Sequence, residues 1–345
     1  MHKDEIYMKR CLELAALGLG RTYPNPMVGS VIVHNDIVIG EGWHQKAGEA
    51  HAEVNAVASV NDKSLLKDST IYISLEPCAH YGKTPPCAEL IVKHQIPNVV
   101  VGCVDSFSEV SGKGIEMMEK AGSTVKVGVL EKECKASHKR FFTFHEKQRP
   151  YIILKWAQTK DGFIAPIDQV SGKPFWITSP ESKKLVHKWR TEEASILVGT
   201  NTAEKDNPAL TARLWEGNQS LRLVLDRSLR LKDDLQLFDN SAKTIVFTQK
   251  SKENLACTEY KTIDFSNLHK EIMNELYKRN IHSVIIEGGR ETLQSFIDEN
   301  LWDEARVFVG EANLEKGIPA PTLNTKPKSE EKVSTDILRW YFKST

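Results

Sequence analysis

Runs typical of β-strands alternate with runs typical of α-helices along this chain, and that alternation restricts its fold more than any other feature. Two short β-branched runs, at residues 30–33 and 37–39, predict a hairpin. Further strands are predicted at residues 70–75, 99–104 and 124–129, and helices at residues 50–60, 86–94 and 114–121. Strands separated by helices favour an α/β fold, with a mostly parallel sheet and helices on its faces.

The chain has 345 residues, which is too long for a single compact core, so two domains are expected. A polar, basic segment at residues 131–149 leads to Pro150, after which a second α/β pattern begins. Its predicted strands lie at residues 151–155, 196–198, 221–225, 244–247, 284–286 and 306–309. We therefore predict one domain over residues 1–148 and a second over residues 149–345. The Pro-, Lys- and Glu-rich tail after Pro319 is expected to be partly mobile.

The charge balance disfavours one class of partner. The chain has 46 basic and 46 acidic residues, whereas proteins that hold nucleic acid through its phosphates usually have a basic excess. The first ten residues, MHKDEIYMKR, lack the apolar core of a signal peptide, and no run reaches membrane-spanning length. The six cysteines are therefore expected to be metal ligands or core residues. We expect a cytoplasmic protein without nucleic-acid or membrane partners.

Residue types that bind metals recur in the N-terminal half. His51 and Glu53 form a His-x-Glu pair at a predicted helix start. Cys78 follows a predicted strand, and Cys87 lies at the start of the next predicted helix. A catalytic zinc takes three protein ligands and one water, a count that one histidine and two cysteines satisfy. We therefore assign His51, Cys78 and Cys87 as zinc ligands, and Glu53, which can face the metal without binding it, as the catalytic acid/base.

Other interpretations of these residues stay open at this point. A single His-x-Glu pair is common, and two cysteines could simply be buried in a core. A structural zinc site is disfavoured, because such sites use four protein ligands and no fourth is evident near these three. Zinc nucleobase deaminases have the same order of ligands but a shorter Pro-Cys-x-x-Cys spacing.

The longer cysteine spacing carries a family resemblance. Residues 76–87, EPCAHYGKTPPC, closely resemble the deaminase motif of the bifunctional riboflavin-biosynthesis deaminase–reductases, as do residues 24–29, PNPMVG, and 42–44, GWH. The resemblance implies a cytidine-deaminase-like three-layer αβα domain. It implies hydrolytic deamination of a 2,5-diamino-6-(phosphoribosylamino)pyrimidinone by zinc-activated hydroxide. It also implies a pyrimidine and phosphate site lined by Asn25, His44, His80 and Lys83.

The C-terminal half has no Gly-x-Gly-x-x-Gly fingerprint, so a Rossmann fold has no support. Gly288, Gly289 and Arg290 instead join a predicted strand to a helix predicted at residues 291–299. Glycines at such a junction let backbone N–H groups approach a phosphate, although a plain strand-to-helix turn would have the same sequence.

The resemblance runs from residue 4 to about residue 310, because residues 154–162 (LKWAQTKDG), 176–180 (WITSP), 187–190 (HKWR) and 197–213 (LVGTNTAEKDNPALTAR) also match. It implies a dihydrofolate-reductase-like α/β domain in which NADPH reduces the ribosyl side chain of the deaminated product to ribityl. The implied NADPH contacts are Ala157, Trp176, Thr202, Asp206, Gly288, Gly289 and Arg290. The implied substrate contacts are Lys155, Arg190, Leu210, Arg213 and Glu287.

The chain departs from the family pattern at three places. Pro174 stands where a small hydroxyl residue is usual, Asn207 stands where an acidic residue is common, and the segment after Gly310 is short and matches poorly. These departures leave open a deaminase whose C-terminal half is only a binding or dimerisation module. A nucleic-acid-editing deaminase is disfavoured by the cysteine spacing and the net charge. The family further suggests a homo-oligomer, a dimer or larger.

Overall fold

The computed structural model describes residues 2–81, 85–105, 111–169 and 175–343. The chain divides into two compact units, Met1–Gln148 and Arg149–Thr345. Within the described ranges, no helix combines the length and the apolar character that crossing a bilayer requires.

The N-terminal unit is built around a five-stranded sheet with the order β2-β1-β3-β4-β5. Its strands are β1 (Gly29–His34), β2 (Ile37–Trp43), β3 (Thr70–Ile73), β4 (Asn98–Val101) and β5 (Thr124–Val127). Its helices are α1 (Lys3–Ala16), α2 (Ala52–Ser59), α3 (Cys87–Lys93), α4 (Lys113–Lys120), α5 (Glu131–Ser137) and α6 (Lys139–Lys147). The predicted hairpin is confirmed, since β1 and β2 pair antiparallel, and β3, β4 and β5 are parallel as expected.

Alternate side chains of the strands in this sheet pack against two different layers of helices, one on each face. Ile71 and Ile73 pack with α2, α3 and α4 on one face, whereas Tyr72, between them, packs with α1, α5 and α6 on the other. Val100 on β4 shares the side of Tyr72. Successive side chains of a strand point to opposite faces, so buried strands of this kind must be covered on both. The predicted three-layer αβα arrangement is therefore confirmed.

The C-terminal unit contains a nine-stranded sheet with the order β11-β10-β9-β8-β12-β6-β13-β16-β15 and a two-stranded sheet of β14 and β7. The strands are β6 (Tyr151–Gln158), β7 (Phe163–Ala165), β8 (Ser195–Val198), β9 (Leu221–Leu225), β10 (Thr244–Thr248), β11 (Thr258–Thr262), β12 (Ser283–Ile286), β13 (Glu304–Val309), β14 (Ile318–Pro319), β15 (Ser329–Val333) and β16 (Asp336–Phe342). The helices are α7 (Pro180–Glu192), α8 (Thr200–Asp206), α9 (Leu268–Lys278) and α10 (Arg290–Asp298). The run from β11 to β13 is entirely parallel.

Parallel strands place the residues that follow them at one edge of the sheet. Gly199 follows β8, Asp226 follows β9 and Glu287 follows β12. Ligands of open α/β sheets bind outside the carboxyl ends of the strands. This edge is therefore where a site is expected, and the cavities described below lie there.

The prediction of a partly mobile tail is wrong for residues 329–342. β15 and β16 form an antiparallel hairpin, and β16 continues the large sheet by pairing with β13. Leu338 is fully buried, and buried Asp336 accepts hydrogen bonds from the hydroxyls of Ser179 and Ser182 at 2.9 and 2.6 Å. The composition around the hairpin is polar, but the run DILRWYF has the alternation and aromatic content of a strand.

Candidate active sites

The three predicted zinc ligands lie where one end of the N-terminal sheet meets two helices. His51 is the residue that precedes α2, and its side chain makes no capping hydrogen bond, so the imidazole is available for another partner. Cys78 lies in the segment that follows β3, and Cys87 is the first residue of α3. The backbone N–H of Cys87 donates to the Cys78 sulfur at 3.3 Å, which fixes the two cysteines relative to each other.

The ligand atoms of these residues converge. The Nδ1 atom of His51 lies 3.7 Å from the Cys78 sulfur and 3.4 Å from the Cys87 sulfur, and the three ligand atoms all lie within 4.8 Å of one another. The neighbouring Cys87 thiol and the His51 ring lower the pKa of Cys78 to about 4. Thiolate is the form that binds zinc, and one imidazole with two thiolates leaves the fourth tetrahedral position open. The donor set therefore fits a catalytic zinc ion.

Glu53 lies beside this cluster, in the first turn of α2. Its side chain is 3% exposed, and burial, followed by the charge of Cys78, raises the pKa of the carboxyl to about 7. A carboxyl group with a pKa near neutrality can both accept and donate a proton, which is what a general acid/base requires. This group of atoms can therefore activate water and relay its proton.

Of the predicted pyrimidine-site residues, His44 lies against the ligand His51, and Asn25 contacts His44. The imidazole of His44 is buried, and its ring centroid lies 5.3 Å from that of His51 in an edge-on arrangement. The Nε2 atom of His44 lies 3.1 Å from the side-chain nitrogen of Asn25, and its Nδ1 atom lies 3.0 Å from the carbonyl of Ala50. His80 is exposed, two positions after the ligand Cys78. The predicted contact Lys83 lies outside the described residues.

Glu76 is a buried carboxylate at this site to which the sequence analysis gave no role. Its two oxygens accept hydrogen bonds from the backbone N–H groups of Asp105 at 3.3 Å, Gly112 at 3.0 Å and Gly114 at 3.0 Å. A Cβ atom on Gly114 would lie 2.1 Å from the carbonyl oxygen of Pro77. Glu76 thus anchors the chain two positions before Cys78. The acidic residue directly before the Pro-Cys pair was the available sequence signal.

All five predicted substrate contacts of the C-terminal unit line one cavity of about 290 Å³: Lys155, Arg190, Leu210, Arg213 and Glu287. Three of the predicted NADPH contacts, Trp176, Thr202 and Asp206, line the same cavity. Residues far apart in the sequence therefore meet here, on the walls of a space of the size that suits a small ligand.

An ion-pair network spans the floor of this substrate cavity. Glu287 accepts from the Lys155 ammonium through Oε1 and from the Arg190 guanidinium through Oε2, each at 2.7 Å. Burial opposes ionisation of Glu287, but the charges of Arg190 and Lys155 outweigh it and lower the pKa to about 2. Glu287 thus stays ionised and holds the cationic groups of Lys155 and Arg190 in place at the wall of the cavity.

Leu210 shows backbone strain at the cavity wall. Its φ is 54°, in the left-handed region that leucine rarely adopts, and its side chain is 3% exposed. Strain of this kind persists only where surrounding contacts determine it, and it recurs at ligand-binding sites.

A second, larger cavity of about 550 Å³ adjoins the first, because Thr202 lines both. It is also lined by Gly289 and Arg290, so the predicted glycine junction does face a cavity, at the start of α10. A Cβ atom on Gly288 would lie 3.3 Å from the backbone nitrogen of Gly199, so the two loops approach closely there. Ala157 belongs to β6 and lines neither cavity.

Several cavity residues were not predicted. His187 and Lys183 of α7 line the substrate cavity, and Lys205, Arg227 and Arg230 line the larger one. Burial and the charges of Arg190 and Arg213 lower the pKa of His187 to about 4, so this histidine is neutral near pH 7. Cations surrounding the larger cavity were not recognisable in the sequence, because they come from the ends of different strands and helices.

Of the three departures, Asn207 has a clear structural role. It terminates α8 with a φ of 42°, and its side-chain oxygen accepts from the backbone N–H of Gln236 at 2.8 Å. Asparagine tolerates the left-handed conformation better than other non-glycine residues, so the substitution suits this turn. Pro174 lies outside the described residues.

The chain was compared with known families and proteins. Residues 1–103 match the cytidine and deoxycytidylate deaminase zinc-binding region, and residues 150–315 match the RibD C-terminal domain. The riboflavin biosynthesis protein RibD of Aquifex aeolicus is 39% identical over 95% of this chain and 92% of its own length. That of Escherichia coli is 32% identical over 95% and 93% of the two chains.

Solved structures give the same result. A diaminohydroxyphosphoribosylaminopyrimidine deaminase/5-amino-6-(5-phosphoribosylamino)uracil reductase from Thermotoga maritima superposes with a TM-score of 0.90, at 37% identity and with 98% of each chain covered. RibD of Acinetobacter baumannii superposes with a TM-score of 0.89, at 31% identity and with 99% of each chain covered. The similarity therefore spans both units of the chain.

Proposed function

The chain belongs to the RibD family, and we propose that its two units carry the two activities of a bifunctional deaminase–reductase of riboflavin biosynthesis through the residues named below. Its cofactors are zinc for the deaminase and NADPH for the reductase, and its substrate is a small molecule. The proposal places deamination in residues 1–148 and reduction in residues 149–345. The observation that carries it is the convergence of the His51, Cys78 and Cys87 ligand atoms within 4.8 Å of one another.

In the deaminase unit, His51, Cys78 and Cys87 hold the zinc ion. When bound there, zinc supplies a Lewis acid that makes a water proton easier to remove near neutral pH. Glu53 accepts that proton on its carboxylate and passes it to the departing amine, so that ammonia leaves. Its position in the first turn of α2, two residues after a ligand, keeps the carboxyl within the site.

Asn25 and His44 orient the pyrimidine in this proposal. Their mutual contact of 3.1 Å and the edge-on packing of His44 on His51 place an amide and a ring nitrogen next to the metal ligands. An amide can both donate to and accept from the edge of a heterocycle. His80 and Lys83 lie in the segment between the two cysteines, and an imidazole and an ammonium suit the ribotide phosphate.

In the reductase unit, we assign the ribotide to the substrate cavity. Glu287 fixes Lys155 and Arg190, each 2.7 Å from one of its oxygens, so both cations are oriented before the substrate arrives. Leu210 and Arg213 supply an apolar wall and a further cation. Positioning of this kind is the main contribution of a protein to a hydride transfer, since the cofactor carries the chemistry.

NADPH supplies the hydride, and we assign the cofactor to the larger cavity, which Thr202, Gly289 and Arg290 line. Gly288, directly before Gly289, stays a predicted contact from the family resemblance. Trp176 and Asp206 line the substrate cavity, which adjoins the larger cavity at Thr202. We therefore propose that these two residues contact the nicotinamide end of NADPH, where the hydride is transferred. Ala157, on neighbouring β6, stays a prediction from the family resemblance. Lys205, Arg227 and Arg230 support NADPH over NADH, because cations bind the additional phosphate.

The test uses the purified protein with the diaminopyrimidine ribotide and NADPH, while NADPH oxidation and ammonia release are measured together. Oxidation that requires the ribotide and stops in Glu53→Gln is expected, because the reductase then receives no deaminated substrate. The deaminated ribotide supplied directly should restore oxidation in that variant. Ammonia release without NADPH oxidation in the unmodified protein would contradict the reductase half of the proposal.

A cytoplasmic location and a homo-oligomeric state are further parts of the proposal. Both come from the sequence and the family resemblance. Measurement of the molar mass in solution tests the second, and a monomer at micromolar concentration would contradict it.

A further inference from the structure

A buried cation on β9 lines neither of the two cavities described above. Arg222 is 1% exposed, although arginine is rarely buried so completely. Its guanidinium donates hydrogen bonds to six groups: the Thr244 hydroxyl at 2.9 Å, the Asp239 carboxylate at 3.1 Å, the Ser241 hydroxyl at 3.4 Å, and the carbonyls of Ala209, Gln236 and Ala242 at 3.2, 3.1 and 2.6 Å. Because three of these acceptors are backbone carbonyls, Arg222 restrains the main chain at three points.

Two of these carbonyls belong to the wall of the substrate cavity. Residues 207–210 all line that cavity, and so does Gln236. The backbone N–H of Gln236 donates to the side-chain oxygen of Asn207 at 2.8 Å, and its side-chain nitrogen donates to the Asn207 carbonyl at 2.7 Å. The segment 207–210 is therefore held at its start by Gln236 and near its end by the hydrogen bond from Arg222 to Ala209.

The Ala209 carbonyl belongs to the peptide group that enters Leu210. That group is planar, and the φ angle of Leu210 is the rotation about the bond from its nitrogen to the Leu210 Cα atom. A hydrogen bond that fixes the carbonyl therefore restrains φ. The φ of Leu210 is 54°, a conformation that costs free energy for any side chain with a Cβ atom. The hydrogen bond from Arg222 thus opposes the return of Leu210 to a relaxed conformation.

We propose that Arg222 is a positioning residue of the reductase, which keeps Leu210 in the left-handed conformation that places its side chain on the wall of the substrate cavity. This inference rests on the proposed function and adds to it a residue that lies outside both cavities. Residues 207–210 and Gln236 line the substrate cavity and not the larger one. Loss of the restraint should therefore affect binding of the ribotide and not binding of NADPH.

The first experiment compares Arg222→Lys with the unmodified protein in steady-state reduction of the deaminated ribotide. Lysine keeps the charge, but its single nitrogen cannot reach the carbonyls of Ala209 and Gln236 together as the planar fork of arginine does. The KM for the ribotide is expected to rise about fivefold or more, with kcat changed less than about threefold and the KM for NADPH unchanged. An unchanged KM for the ribotide would overturn the inference.

Arg306→Lys is the matched control for the loss of a buried arginine. Arg306 belongs to β13 of the same sheet, is 3% exposed, pairs with Glu193 and Glu304, and lines neither cavity. Both variants should unfold at lower denaturant concentration than the unmodified protein, but Arg306→Lys should keep both KM values. An equal rise of the ribotide KM in the two variants would assign the effect to general destabilisation and overturn the inference.

Thr244→Val is a milder change that decides the question if Arg222→Lys does not fold. Valine has nearly the shape of threonine but lacks the hydroxyl that accepts from the Nε atom of Arg222, so the guanidinium loses a contact that orients it. The KM for the ribotide is expected to rise about twofold to threefold, again without a change in the KM for NADPH. A folded Thr244→Val variant with the KM values of the unmodified protein would contradict the inference.

Leu210→Gly tests the backbone conformation itself. Glycine adopts the left-handed region without a steric cost, so the loop should no longer depend on Arg222. The lost apolar contact should raise the ribotide KM of Leu210→Gly, and Arg222→Lys added to it should raise that KM less than about twofold further. Full additivity of the two changes would mean that Arg222 does not act through Leu210.

A crystal structure of Arg222→Lys, or of Thr244→Val in its place, separates failure of this inference from failure of the proposed function. The φ of Leu210 is expected to become negative in Arg222→Lys, and a φ that stays left-handed would overturn the inference whatever the kinetics. An unmodified protein that does not reduce the deaminated ribotide would overturn the proposed function. The conformation of Leu210 in the variant would still decide whether Arg222 restrains it.

Discussion

The proposed zinc site takes its ligands from one short stretch, residues 51–87, whereas the cations of the proposed substrate cavity come from residues 155–213, and two of them share Glu287 as their counter-ion. In the first site the residue types alone restrict the chemistry, since few side chains bind zinc and their number is fixed. In the second, each arginine or lysine could equally be a surface charge. Only their arrangement around one carboxylate at the wall of a cavity distinguishes them from surface charges.

The largest effect is expected from replacing the proposed zinc ligand Cys87. Cys87→Ser should lose zinc and reduce ammonia release by roughly a thousandfold or more, because several kcal/mol of transition-state stabilisation disappear. Reduction of the deaminated ribotide should stay within about twofold of the unmodified rate. Metal analysis and the two rates test this together. Cys257→Ser, at a half-buried cysteine of the other unit, is the control and should change neither. A reductase lost along with the zinc would show that the two sites are not independent.

Glu53→Gln should separate metal binding from proton transfer within the first site. The amide cannot accept the water proton, so deamination should fall by about 10²- to 10⁴-fold. Zinc content should stay at one ion per chain, because Glu53 is not a ligand. Loss of the metal in this variant would mean that Glu53 holds the ion rather than moves a proton.

Glu287→Gln should have its largest effect on stability, in contrast to both changes in the zinc site. It leaves Lys155 and Arg190 without their buried counter-ion, which should lower the free energy of unfolding by about 3 kcal/mol. Denaturant unfolding of the two proteins at neutral pH measures this difference. A loss below about 1 kcal/mol would place the ion pairs in the class of weak surface contacts.

The same carboxylate predicts a pH dependence. The pKa of Glu287 is lowered from 4.5 to about 2 in the folded protein, so its contribution is fully present above pH 4.5 and is lost as the pH falls toward 2. Stability of the unmodified protein should therefore decrease over this window more steeply than that of Glu287→Gln. Parallel stability curves for the two proteins would be inconsistent with a strongly lowered pKa.

The smallest effect is expected at Asn207, where the chain departs from its family. Asn207→Ala should cost about 1–2 kcal/mol, because alanine is less tolerant of the left-handed conformation and cannot accept from Gln236. Asn207→Gly keeps the backbone freedom and loses only the hydrogen bond, so it should cost less. Thermal unfolding of both variants distinguishes the two causes. An equal loss in both would attribute the whole effect to the hydrogen bond.

Much of the fold could be predicted because its strands are buried on both faces. Runs such as residues 70–75, 99–104 and 284–286 are mostly apolar and are separated by helices, which predicts a parallel sheet. The observed strands lie within or next to these runs, at Thr70–Ile73, Asn98–Val101 and Ser283–Ile286. The hairpin at residues 329–342 escaped prediction, because the strand β15 is largely exposed and polar and gains its regularity from pairing with β16.

The sequence by itself identified the family and predicted the zinc ligands and the acid/base, because these predictions depend on residue types at fixed spacing. It also named the five residues that line the substrate cavity, through the family resemblance. Only the tertiary structure decided which charges compensate one another, because it places the carboxylate of Glu287 between the cations of Lys155 and Arg190. Coulomb energies depend on distances in space and on burial, and sequence separation fixes neither.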